Sequence, residues 1–363
     1  MNKLQRKDIG WQFYLKSDEA WLAMKKACLK AQHTIDMEQY ILQNDEVGRE
    51  FIEILKKKSV DGVKVRLLCD MSGSISFYNS FLPKELRESG VEVRFFNIIK
   101  LWRVYNFSSW FFRDHRKILV VDGSVGFIGG VGIRNDMKDW RDTHIRVEGN
   151  IVKEMELIFN EMWETSAQKG LVKRIRKAKD FVKGFYILTN SPHFRRRFIY
   201  HELLDFIRSA RKYVYLTTPY FVPDRKFSRV LRIAAKKGVD VSILIPKGSN
   251  YFWVDRASEA SFDSLLKSGV KIFRYTGELL HSKTAVIDDA WGTVGSFNLD
   301  SMSFVFNYEA NIASTNEEFV QTLKNTFLND LEKTEEISLA KWRERSSVVK
   351  TQEYLAKIIR GFM

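Results

Sequence analysis

Apolar positions fall into short runs, and the runs occur twice in the same order. Residues 118–121 (Ile-Leu-Val-Val) and 284–287 (Thr-Ala-Val-Ile) are strand-length and apolar or β-branched. Each is closed by turn formers, Asp122-Gly123 and Asp288-Asp289. Residues 125–128 and 291–294 return as second strands, so each run predicts a hairpin. Upstream the period changes. Residues 51–57 and 227–237 space their apolar positions as helices do, and each leads into a strand-like run, 62–68 and 238–244. Residues 34–41 match 214–221 as earlier strands, and 89–93 match 268–272. Each half therefore alternates strands and helices, which predicts an α/β fold of two similar domains, each a mixed sheet flanked by helices. The expected division is residues 1–172, a basic linker 173–182, and residues 183–363 ending in a helix.

The polar residues set into these hairpins repeat too. His115-x-Lys117, four residues, Asp122, six residues, Gly129-Gly130 is matched by His281-x-Lys283, four residues, Asp288, six residues, Gly295-Ser296. Two such copies with one glycine offset are rarely a chance match. Residues two apart on a strand share a face, so each histidine can reach one ligand together with its lysine. A histidine can carry a covalent bond and a lysine can hold an anion. Supplied twice, they suggest one phosphate gripped by two half-sites in a cleft where the halves meet.

On these motifs the chain resembles the phospholipase D superfamily, and over nearly its whole length the bacterial cardiolipin synthases, in the shorter type without N-terminal membrane helices. Residues 140–149 resemble the family's stretch after the first motif, and residues 217–223 its second-half entry strand. Residues 295–300, with Ser303, Asn307 and Glu309, resemble the tail of its second motif. There are departures. Gly132 stands where asparagine is usual, a place Asn298 fills in the second motif, and Met302 stands where arginine is common. Asn135 is a candidate substitute at the first half-site.

The resemblance implies a two-step transfer that needs no metal or cofactor. One histidine attacks phosphorus and the other protonates the leaving alcohol, then acts as base on the acceptor. Lys117 and Lys283, with Asn298 and Ser296 as polar donors, neutralise the phosphoryl oxygens. By resemblance His115 is the nucleophile and His281 the general acid/base. Asp142 and Glu309, at matching distances after the two histidines, take the family's role of orienting imidazoles. Asp122 and Asp288 belong to the motif, but they are expected to brace the hairpins and bind across the interface. The leading function is a phosphatidyltransferase that makes cardiolipin from phosphatidylglycerol. The alternatives are a hydrolytic phospholipase D and a nuclease.

Net charge changes the picture of partners more than of fold. The chain carries +14, which favours anionic surfaces. Residues 97–114 mix Trp102, Tyr105, Phe107, Trp110, Phe111 and Phe112 with Lys100, Arg103 and Arg113 just before His115. Trp102, Tyr105, Trp110, Phe111 and Phe112 are expected to contact lipid. A helix packed on the core and a base-stacking surface are the other readings. The C-terminal stretch 342–363 is amphipathic, and either packs on the second domain or lies on a membrane. The expected partner is anionic phospholipid at a membrane surface, with nucleic acid not expected and no oligomer required for catalysis. No signal peptide or transmembrane helix is expected. Peripheral residence on the cytoplasmic face of a bacterial membrane follows. Cys28 and Cys69 show no metal spacing and read as reduced core thiols.

Overall fold

The computed structural model describes residues 9–98, 111–167, 184–193, 196–249 and 251–359. Two compact units emerge from the packing: Met1–Asp139 with Thr143–Ile187, and Trp140–Asp142 with Leu188–Met363. The short segment Trp140–Asp142 thus belongs to the second unit although the sequence places it within the first half. The expected linker 173–182 lies outside the described residues.

The first unit is built on β1 (Trp11–Lys16), β2 (Thr34–Gln39), β3 (Lys64–Asp70), β4 (Glu92–Phe96), β5 (Arg113–Asp114), β6 (Lys117–Val121), β7 (Val125–Gly129) and β8 (Arg141–Glu148). Its seven-stranded sheet runs β1-β8-β7-β6-β2-β3-β4. Strands β2, β3 and β4 are parallel, and the β6–β7 hairpin joins β2 antiparallel. β6 is buried along its whole length, which requires cover on both faces. Helices Ser17–Lys30, Glu46–Val60 and Ile151–Ala167 all pack on this sheet. Asp45 fixes the start of the second of these by accepting the Gly48 N–H at 2.9 Å. That helix therefore begins five residues before its apolar periodicity.

β9 (Phe185–Asn190) carries the chain from the first unit into the second, which adds β10 (Tyr213–Thr217), β11 (Asp240–Pro246), β12 (Lys271–Tyr275), β13 (Thr284–Ile287), β14 (Trp291–Gly295), β15 (Asn307–Ser314) and β16 (Thr334–Glu336). The order β16-β12-β11-β10-β13-β14-β15 repeats the logic of the first sheet. Three parallel strands, β10 to β12, are joined by an antiparallel hairpin, β13–β14. Helix Arg225–Lys236 is capped by Asp224, which accepts the Phe227 N–H at 2.6 Å. The strand expected over 214–221 ends at Thr217, because Pro219 has no N–H for a ladder. Helix Ser347–Ile359 packs on helix Phe252–Glu259 of this unit, with Ala356 buried against Val222 and Ala257. This packing settles the place of the C-terminal helix, although Phe362 lies outside the described residues.

The repeated glycines end β7 and β14 for a steric reason. A Cβ at Gly295 would stand 2.1 Å from Asn311 Oδ1 and 2.4 Å from the Ala310 carbonyl oxygen. At Gly129 it would stand 2.6 Å from the His144 Cα. Because backbone crowds both positions, Gly295→Ala is expected to cost about 2 kcal/mol or more through forced strand displacement. Chemical denaturation of the variant checks this, and a loss below about 0.5 kcal/mol would contradict it.

Candidate active site

The two hairpins deliver their histidines to equivalent places. β6 begins at Lys117, paired with Gln39 at the C-terminal end of β2. β13 begins at Thr284, paired with Thr217 at the C-terminal end of β10. In each unit the histidine therefore lies at the edge where the parallel strands end, the usual ligand edge of an α/β sheet.

In the first unit His115 is buried to 8% exposure and Lys117 to 1%. Lys117 Nζ donates to the His115 carbonyl oxygen at 2.7 Å and lies 5.2 Å from the centre of the Tyr40 ring. Tyr40 meets the His115 imidazole edge-on at 4.7 Å. In the second unit Lys283 Nζ donates to the His281 carbonyl oxygen and stands 3.0 Å from His281 Nδ1. Asp142 Oδ2 lies 2.6 Å from that same nitrogen. Nδ1 cannot both donate to the carboxylate and accept from the ammonium. A lone pair facing a carboxylate at that distance would be repelled, so the proton sits on Nδ1 and points at Asp142. Nε2 is then left with its lone pair. Tyr220 approaches the His281 ring edge-on at 6.3 Å, and Trp140 packs on it at 5.1 Å.

Asp142 is held in turn. The Arg141 Nη1 donates to the Asp142 carbonyl oxygen at 2.6 Å, and the Arg141 guanidinium forks onto Asp330 at 3.0 and 2.6 Å. The Arg141 carbonyl accepts the His281 N–H at 2.8 Å. Burial, against the pull of Arg141, leaves Asp330 above the usual carboxylate range.

Glu309 is fully buried and accepts from Ser303 Oγ at 2.7 Å, Asn307 Nδ2 at 3.1 Å and Ser296 Oγ at 2.5 Å. The Ser296 hydroxyl also accepts the Ala310 N–H at 3.1 Å. Its proton is therefore committed to Glu309, and the expectation that Ser296 donates to a phosphoryl oxygen is not what the structure places there. Asn298 is buried, and its N–H donates to Ser303 Oγ at 3.3 Å. Asp300 is also buried beside Glu309. Burial, opposed by the Ser303 N–H it accepts at 2.7 Å, raises it to about 7. A carboxyl whose folded value lies above its unfolded one stabilises the native state in its neutral form. That contribution is complete below the unfolded value and is lost as pH rises through about 7. Wild-type Tm should therefore fall relative to Asp300→Asn between pH 5 and 8. Parallel Tm curves would show that Asp300 titrates normally.

The motif aspartates sit elsewhere. Asp122 and Asp288 follow the far ends of β6 and β13, roughly 16 Å along the strand from the lysine at about 3.3 Å per residue. Both take positive φ, 52° and 56°, in turns where Gly123 and Asp289 do the same, a pattern that favours glycine and aspartate. Asp122 accepts the N–H groups of Gln32, His33 and Thr34 at 2.7–2.9 Å. Asp288 accepts those of Arg211, Lys212 and Tyr213 at 2.6–2.8 Å. These contacts tie each hairpin to the start of the neighbouring parallel strand within its own unit. Burial raises Asp122, but the three backbone donors outweigh it and leave it below the usual range. As catalytic groups Asp122 and Asp288 are out of reach; they brace the scaffold.

Asn135 is exposed, with its N–H given to Asp45 Oδ2 at 2.8 Å. Phe111 and Phe112 are half-buried, while Trp102, Tyr105 and Trp110 lie outside the described residues. His144 is buried on β8, its ring stacked on Phe127. Among the described residues, no group of three or more His, Cys, Asp or Glu side chains is placed to hold a metal ion. No described helix is long and apolar enough to cross a membrane.

Three site features escaped the motif reading. Tyr40 and Tyr220 occupy matching positions of the repeated strands 34–41 and 214–221, so the repeat itself carried the signal. Trp140 stands beside Asp142 in the sequence. The third is a buried charge cluster that includes both chain neighbours of His115: Glu38, Asp114 and Arg116 are all fully buried. Burial and then the Asp114 charge push Glu38 well above its usual range, against Arg116, whose Nη1 stands 4.0 Å away. Burial raises Asp114 to about 6, opposed first by Arg116.

A family model described as "Cardiolipin synthase, PLD-like domain" matches residues 24–163 and 203–331. The chain is 34% identical to the cardiolipin synthase of Halalkalibacterium halodurans over 94% of this chain and 70% of that one. It is likewise 34% identical to the cardiolipin synthase of Staphylococcus aureus over 97% of this chain and 73% of that one. Among solved structures, phosphatidylserine synthase of Haemophilus influenzae covers 99% of this chain and 96% of its own, with TM-score 0.75 at 12% identity. That likeness is one of fold. Two similar mixed-sheet units, each presenting a histidine and a buried lysine from the same hairpin, fit the same assignment: the chain belongs to the phospholipase D-like cardiolipin synthase family.

Proposed function

We propose that the protein transfers a phosphatidyl group between two phosphatidylglycerol molecules, giving cardiolipin and glycerol through a phosphohistidine. The observation that carries this reading is the second half-site, where Asp142 holds Nδ1 of His281 at 2.6 Å and leaves Nε2 to exchange a proton. In the first step a neutral nitrogen of His115 bonds to phosphorus as the P–O bond to glycerol breaks. His281 enters this step as the imidazolium, steadied by Asp142, and gives its Nε2 proton to the departing oxygen, which leaves the Nε2 lone pair for the next step. In the second, His281 takes the proton from the acceptor hydroxyl as that oxygen bonds to phosphorus and the P–N bond breaks. Lys117 and Lys283 supply fixed positive charge beside each imidazole, where phosphoryl oxygens gain charge in the transition state. Glu309, at the position matching Asp142, takes the family's imidazole-orienting role. The occupied hydrogen bonds of Ser296 leave Asn298 as the polar donor proposed for phosphate. Anionic phospholipid at a membrane surface is the proposed partner, and the cytoplasmic face the proposed location.

Incubation of phosphatidylglycerol vesicles with pure protein in the presence of EDTA, read by thin-layer chromatography and mass spectrometry, tests this. Cardiolipin and glycerol are expected, and neither in a His115→Ala/His281→Ala control. Phosphatidic acid alone would replace the transferase by a hydrolase, since water and a glycerol hydroxyl compete for one intermediate.

A further inference from the structure

Three consecutive aromatic side chains lie open to solvent next to the second half-site. Tyr251, Phe252 and Trp253 are 58%, 51% and 46% exposed, at the start of helix Phe252–Glu259. Large apolar side chains exposed together mark an interaction surface more than scattered ones do. Their place in the fold is specific. They follow β11, whose end at Pro246 runs past Leu244, the partner of Thr217, so they leave the sheet at the same edge as His281. The Tyr251 ring stands 5.8 Å from that of Tyr220, which in turn meets His281. The first unit repeats the arrangement. After β3, on the edge that carries His115, Ile75 is 46% and Phe81 82% exposed.

The triplet's own helix mixes charges, with Asp255 accepting the Ser249 N–H at 3.0 Å and Arg256 paired with Glu259 at 2.6 Å, and the excess of cation lies along the C-terminal stretch beside it. Arg256 lies over the Phe252 ring at 5.2 Å. Helix Ser347–Ile359, which packs on the triplet's own helix, exposes Val348 and Leu355. Residues 341–360 around it hold six Lys or Arg against two Glu. Aromatic rings beside basic side chains, within a chain of net charge +14, complement the headgroup level of an anionic bilayer.

We propose that Tyr251, Phe252 and Trp253 dock the protein on an anionic phospholipid bilayer, with the basic C-terminal helix beside them, so that the edge carrying His281 faces the lipid. This rests on the reading of the substrate as a membrane phospholipid. It places the contact at residues 251–253 and not at 97–114 alone.

The test uses the full chain and vesicles of phosphatidylglycerol and phosphatidylcholine. Phe252→Ser/Trp253→Ser is expected to lower partitioning onto phosphatidylglycerol vesicles by about tenfold or more, from the apolar burial it removes. Turnover of dispersed short-chain phosphatidylglycerol should be unchanged. Undiminished partitioning in the folded variant overturns the proposal. So does a switch from dimer to monomer with vesicle binding intact, which would make the face a self-contact. Trp253→Phe keeps the apolar face and serves if the serine variant does not fold. It should bind as the wild type does, yet lose part of the tryptophan quenching by acyl-brominated lipids; full quenching would also overturn the proposal. A wild type that binds vesicles but turns over no lipid would sink the function and leave the docking surface standing.

Discussion

Alanine at His115 or His281 is expected to lower cardiolipin formation by about 10⁴-fold or more, with Tm close to wild type. Both side chains are largely buried, but at the strand-end edge of their sheets and not in the cores formed around residues such as Leu119 and Val294. Their loss removes chemistry and leaves packing in place. The two variants should differ in what they accumulate. If His115 is the nucleophile, wild type quenched at alkaline pH during turnover carries a phosphatidyl adduct on the peptide containing His115. His115→Ala carries none, and His281→Ala forms it slowly because the departing glycerol oxygen lacks its acid. Mass spectrometry of the quenched peptides reads this directly. An adduct confined to His281 would exchange the two roles while keeping the transferase.

The parts of this site that were legible in the sequence are those set by spacing along one strand. The pair His115 and Lys117, the turn at Asp122 and the repeated glycine at 129 all lie within fifteen residues, where period and turn chemistry suffice. Strand and helix alternation gave the fold class for the same reason. Spacing along the chain does not show contact between distant residues, so the imidazole-orienting role of Asp142 came only with the resemblance. Asp142 meets His281 across 139 positions, and no local pattern shows that Trp140–Asp142 joins the second unit. Ser296 read as a phosphate donor because its hydroxyl was unassigned; only the three-dimensional approach of Glu309 commits it. The exposure of the Tyr251-Phe252-Trp253 run has no signal in the sequence, since composition does not tell a buried aromatic from an exposed one. The motif aspartates show the reverse case. Their place in the motif put them beside catalytic residues while their turn chemistry pointed to bracing, and their positive φ and three backbone donors each, all within their own unit, fix them in the turn.

Asp142→Asn should separate the two chemical steps. The amide is nearly isosteric, so Arg141 keeps its hold on the Asp142 carbonyl oxygen and on Asp330. Yet an amide can turn its NH2 toward His281 Nδ1, which moves the imidazole proton to Nε2. That tautomer cannot take the acceptor's proton, and the charge that steadies an imidazolium is gone. Losses of about 10²–10⁴ in kcat are expected, as for a carboxylate that orients a catalytic imidazole elsewhere. KM should change little, because Asp142 touches the imidazole and not the lipid. A phosphatidyl ester of p-nitrophenol then isolates the first step, since nitrophenolate leaves without a proton. With His281 as acid/base, the variant releases a rapid burst of about one nitrophenolate per active site and then turns over slowly, because the acceptor still has no base. Were His281 the nucleophile, the same substitution would suppress the burst itself. One burst measurement on one variant thus reads both the role of Asp142 and the direction in which the two histidines divide the reaction.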